Sequence, residues 1–117
     1  MDKIIYNNKL IGIRVRSLKQ GSMPITDGKE PLQLVGLKQP TGHVFAAHRH
    51  KKLKRTTDAL QECLIVRKGK VKVDVYAPGD VLCKTVTLKA GDLFILLHGG
   101  YGIRVLEHVE LFELKNG

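Results

Sequence analysis

The chain has 117 residues, a mass of 13.0 kDa and a formal net charge of +9, with 43% hydrophobic and 26% charged residues. That is the size and balance of one globular domain, which buries roughly two-thirds of its unfolded surface without a staple. Neither disorder nor a membrane-spanning helix is expected: the longest apolar runs, such as "LFILL" at 93–97, are far below the ~20 residues that cross a bilayer. Asp2 and Lys3 are followed only by "IIY", so no secretion leader is expected.

Apolar-polar alternation dominates from end to end, and helical spacing is nowhere sustained. The alternation predicts strands over residues 10–16, 32–38, 43–50, 62–67, 70–76, 84–88, 92–97, 103–106 and 109–114. Asp27-Gly28, Pro40-Thr41-Gly42, Lys68-Gly69, Pro78-Gly79-Asp80, Ala90-Gly91 and Gly99-Gly100 mark turns between them. The only helical scrap is 57–61, which reads equally as loop. Many short strands near ten residues apart predict an all-β sandwich or barrel. Cys63 and Cys83 lack the spacing of a zinc or redox pair and read as buried thiols in a reducing cytoplasm.

The charge is unevenly divided. Residues 1–55 hold 12 Lys+Arg against 3 Asp+Glu, whereas the remainder is balanced. Within "RHKKLKR" at 49–55, Lys51, Lys52, Lys54 and Arg55 are candidates for recruiting an anionic ligand. Nucleic acid is not the expected partner, because three Tyr, three Phe and no Trp make a thin stacking platform and no helix can enter a groove.

The chemistry-bearing segment is "TGHVFAAHRH", in which His48 and His50 project from one face if the segment is a strand. Glu62 shares strand parity with Leu64 and Val66, so its carboxylate is expected to point into the core. A buried carboxylate needs a partner or a metal. Two imidazoles and a carboxylate with open positions suit a divalent cation such as non-haem iron or zinc, and His48, His50 and Glu62 are therefore the metal-ligand candidates. The alternative is a metal-free hydrogen-bonded cluster of the same groups.

These residues resemble the cupin superfamily. Gly42, five residues, then His48-Arg49-His50 match its first motif, as do Glu62, six residues and Gly69. Eleven residues separate His50 from Glu62, an insertion of seven or eight relative to the family, and this insertion contains the basic run. Gly91, Leu97 in place of the usual Pro, and Gly99 keep the frame of the second motif, with Gly102 at the spacing of the fourth ligand. From His48 onward the chain is more closely similar to small cupins of sugar-nucleotide and polysaccharide gene clusters, on "RTTDALQECLIVRKGKVKVDVY" and "AGDLFILLHGGYGIRVLEHVELFELKNG". In that register the family histidine falls on Tyr101, which becomes a fourth-ligand or substrate-binding candidate.

The resemblance implies a single cupin domain over 1–117, a double-stranded β-helix or jelly-roll barrel with motif 1 at 42–69 and motif 2 at 91–105. It implies one divalent metal (Zn, Fe, Ni or Mn) and a small anionic or carbohydrate-type ligand, with sugar-nucleotide isomerisation, epimerisation or oxygenation as compatible chemistries. The alternative is a non-catalytic, metal-free metabolite binder. A homodimer is also implied, through N-terminal strands such as residues 4–16, whose β-branched residues would make a sticky edge.

Overall fold

The alternating pattern becomes eight strands and no helix in a computed structural model that describes all 117 residues. The strands are β1 (Asp2–Tyr6), β2 (Lys9–Val15), β3 (Gly21–Pro24), β4 (Val35–Lys38), β5 (Glu62–Ala77), β6 (Val81–Lys89), β7 (Leu93–Leu96) and β8 (Gly100–Lys115). One antiparallel sheet runs β1-β2-β7-β5-β6, with β8 along the opposite edge of β5, and β3-β4 form a separate hairpin. Asn7 and Asn8, both at positive φ, make the tight turn between β1 and β2.

Register alone forces the main sheet to curl. Leu96 pairs with Glu62, and Gly100 pairs with Tyr76. Laid flat, β5 would hold Glu62 and Tyr76 roughly 46 Å apart. The residues from Leu96 to Gly100 can reach only about 14 Å, so β5 must bend its two ends toward each other. The bend lies at Gly69 (φ 83°), where the β5-β8 register shifts repeatedly between Val66 and Val71. Inward parity switches there, from Leu64 and Val66 to Val71, Val73, Val75 and Ala77, all essentially buried. The switch keeps the apolar side of both halves on one interior. The result is an all-β, curled half-barrel.

Two cores follow. Inside the curl, Ile4, Ile11, Phe94, Leu96, Val86 and Leu88 join the inward residues of β5. On the outer face, Ile13, Val15, Ile95, Leu97 and Cys63 pack against Ile25 and the region of the β3-β4 hairpin. Cys63 and Cys83 are free thiols, and burial pushes Cys63 up to about 11, far from a reactive thiolate.

Several sequence expectations are corrected. Lys68-Gly69 is a corner within one continuous strand, because a glycine at positive φ bends β5 without ending its pairing. Residues 103–106 and 109–114 likewise fuse into β8. Only Val35–Lys38 of the 32–38 candidate is strand, residues 57–61 are not helical, and β1 and β3 are additional. Residues 43–50 are not a strand at all: 43–61 carry no regular structure and 43–58 are exposed throughout. A strand needs a neighbour for its N–H and C=O groups, and five cations in the seven residues at 49–55 favour solvation instead. The 4–16 segment is not a free edge along its whole length, since β2 is enclosed by β1 and β7. The long open edge belongs to β8, which leaves Val105, Phe112 and Leu114 exposed.

Candidate functional site

Cross-strand partners share a face of the sheet, and this rule assembles a polar mouth on the curl. Tyr101 lies opposite Val75, Glu113 opposite Leu64, and Lys115 opposite Glu62. Val75 and Leu64 are fully buried and inward, so Tyr101 and Glu113 turn inward as well. Glu62 begins the stripe that continues with Leu64 and Val66. The curl brings the start of β8 to the start of β5, and the Tyr101 hydroxyl donates to Oε2 of Glu62. Oε2 of Glu113 stands 3.5 Å from the same hydroxyl, and Nζ of Lys115 lies 3.1 Å from Oε1 of Glu113. Leu60, Leu96, Gly99 and Gly100 complete the pocket wall.

Tyr101 is fixed from behind by Phe94, whose ring meets it edge-on at 6.3 Å between centroids. Burial and the Glu62 hydrogen bond push its pKa far above that of free phenol. Tyr101 is therefore a neutral donor across the physiological range. Lys115 is held charged by the Glu113 carboxylate beside it, which raises its pKa further. The mouth thus offers two carboxylates as acceptors and an ammonium as donor, over an apolar floor, while the Tyr101 hydroxyl, its proton committed to Glu62, has only lone pairs to offer a ligand.

The histidines stand apart from this cluster. His48 and His50 lie on the exposed 43–61 arm, their rings 5.2 Å apart at 73°. Nδ1 of His48 is 2.9 Å from the Ala46 carbonyl. A carbonyl only accepts, so that contact puts the proton on Nδ1 and leaves Nε2 with a free lone pair in the neutral ring. No three His, Cys, Asp or Glu side chains gather as a metal-binding group, so His48, His50 and Glu62 do not converge as placed. Tyr101 points inward, but it meets Glu62 and not the histidine pair.

The remaining candidates sit on the surface. Lys51, Lys52, Lys54 and Arg55 are exposed, with Arg55 donating to the Glu30 carbonyl at 3.2 Å. His98 is half-buried in the bend before β8, and exposed His108 lies on β8 beside the Gly69 corner. Glu113 and Lys115 were not among the sequence candidates, although Val109 and Leu111 share their parity and mark that stripe as inward. Gln61 is a further addition. Fully buried, it accepts from the Leu32 N–H at 2.9 Å and donates to Glu30 at 2.7 Å, anchoring the base of the arm beside the mouth. No family model, curated protein or solved structure matches the chain.

Proposed function

We propose that the chain is a small cupin-type barrel whose mouth, formed by Glu62, Tyr101, Glu113 and Lys115, binds a small hydroxylated ligand of carbohydrate type. The observation that carries this reading is the Tyr101–Glu62 hydrogen bond across the curl, with Glu113 within reach of the same hydroxyl. Vicinal hydroxyls can donate to the two carboxylates while accepting from Lys115, and the apolar wall suits a sugar's C–H face. The cupin assignment rests on the ordered residues Gly42, His48, His50, Glu62, Gly69, Gly91 and Gly99 together with the curled all-β sheet. No catalytic role is assigned to any of these groups.

A second reading is favoured by the His48 geometry. A ring separation of 5.2 Å is short enough for one ion about 2.0–2.1 Å from a nitrogen of each ring. A divalent cation, Zn, Fe, Ni or Mn, would take Nε2 of His48, a nitrogen of His50 and the Glu62 carboxylate if the arm folded over the mouth. When bound it would supply Lewis acidity at the mouth. Lys51, Lys52, Lys54 and Arg55 would then lie near an anionic substituent of the ligand.

Calorimetry with a panel of neutral sugars and sugar nucleotides, before and after chelation, tests both readings. Mouth binding predicts an affinity about tenfold weaker in Tyr101→Phe and in Glu113→Gln. The metal reading predicts stoichiometric metal on untagged protein, lost in His48→Ala, and tighter zinc or nickel binding in Tyr101→His. Binding of no sugar by any form would remove the first reading, and metal content equal in wild type and His48→Ala would remove the second.

The expected homodimer is best served by β8, since its outer edge leaves a long row of backbone groups without a strand partner. Light scattering should return twice 13.0 kDa, and less in a Val105→Lys variant. A 13.0 kDa particle at high concentration would remove the dimer.

A further inference from the structure

A second polar groove lies where the end of β2 meets the corner of β5 and the end of β6, apart from the mouth and sharing none of its residues. Its walls are Arg14, Arg16, Lys70, Thr87, Lys89 and Asp92, with no apolar side chain among them. Lys70 and Lys89 are direct cross-strand partners, so two ammonium groups share one face, an arrangement that by itself destabilises a sheet.

Glu107 lies opposite Lys70 on β8 but makes no ion pair with it, and the other local carboxylates are engaged elsewhere. Asp2 is engaged by Nε of Arg14 at 2.9 Å and Nε of Arg16 at 3.4 Å. Buried Asp92 accepts the backbone N–H of Lys89 at 2.9 Å. None of the chain's ion pairs includes Lys70 or Lys89.

Arg14 is preset. Its Nη1 donates to the Thr87 carbonyl at 3.0 Å while Nε holds Asp2, which pins the half-buried guanidinium across the seam between β2 and β6. Neither bond uses Nη2, whose N–H groups remain available to a ligand. A guanidinium fixed in this way loses little entropy when it binds.

From the unrelieved Lys70–Lys89 pair beside this fixed guanidinium, we infer that the groove binds the phosphoryl group of a small phosphate monoester. A tetrahedral dianion with three acceptor oxygens can be met by cations converging from three strands and by the Thr87 hydroxyl. A planar carboxylate would use fewer of them. The inference is independent of the barrel-mouth reading.

The test measures thermal stability and calorimetric binding with inorganic phosphate, glucose 1-phosphate, a short oligonucleotide and chloride at matched ionic strength. Lys70→Gln and Lys89→Gln should each melt a degree or two higher than wild type without ligand, because the repulsion is gone. Each should also bind phosphate about tenfold more weakly. Lys84→Gln, farther along β6, should bind phosphate like wild type. Tighter binding of glucose 1-phosphate than of inorganic phosphate identifies an ester as the ligand, and equal binding identifies the free anion. Stabilisation by chloride equal to that by phosphate, or phosphate affinity unaltered in Lys89→Gln, overturns the site. So does affinity confined to oligonucleotides, which would make the groove part of a polyanion surface.

Discussion

Replacing Gly69 with alanine should cost about 4 kcal/mol or more, a large part of the stability of a domain this size. Two effects add. The residue sits at φ 83°, where an L side chain alone loses about 1–2 kcal/mol. A Cβ there would also overlap the carbonyl oxygen of His108, a backbone atom of β8 that cannot rotate aside. Either β5 straightens or β8 moves away, and both open the curl that joins Tyr101 to Glu62. Gly91 supplies the control: it has φ 90° but no atom within 4 Å of an added Cβ. Gly91→Ala should therefore show only the conformational part. Urea unfolding of the two variants decides the matter, and equal losses would mean that the corner is not closely packed.

Phe94→Ala should cost about 3–5 kcal/mol, the range for emptying an aromatic site in a core. The ring is fully buried in the inner core, with Gly12 beneath it, where an added Cβ would come within 2.8 Å of two ring carbons. Space made by a missing side chain on β2 is thus filled by an oversized one on β7. The ring also backs Tyr101, so its removal should weaken mouth binding in protein that is still folded. Phe94→Leu keeps much of the volume and should cost about 1.5 kcal/mol or less. A loss below 1 kcal/mol for Phe94→Ala would show that neighbours collapse into the space and that Tyr101 is not held by it.

Much of this architecture can be read from alternation. Parity places Glu62 with Leu64 and Val66, and the structure puts those two inside with Glu62 at their polar end. The turns at Pro78-Gly79-Asp80 and Ala90-Gly91 fall where glycine and proline indicate. Gly69 shows the limit of local signals, since a glycine at positive φ serves a hairpin turn and a strand corner equally. Only the pairing of both flanks with β8 distinguishes them. Asn7-Asn8 was a usable hairpin signal, although glycine is the commoner partner in that turn. The 43–50 segment has the alternation of a strand but lacks a partner, and no local pattern encodes a partner's presence. Glu113 required register: nothing in "ELFELK" says that it will face a tyrosine twelve residues earlier, whereas its position opposite Leu64 does.

The pairing of β5 with β8 also sets the order in which the chain can assemble. Tyr76 pairs with Gly100 and Glu62 with Lys115, so the sequence separation across this ladder widens from 24 to 53 residues. The β5-β6 hairpin closes around three turn residues and can form early, at small loop entropy. Each later rung of β8 joins residues farther apart in sequence, and the rungs beyond Gly69 need the corner to be bent. The mouth is built from the two ends of this ladder, so it needs both the first and the farthest rungs in place. Its residues exist as a site only once the least local contacts of the ladder are made.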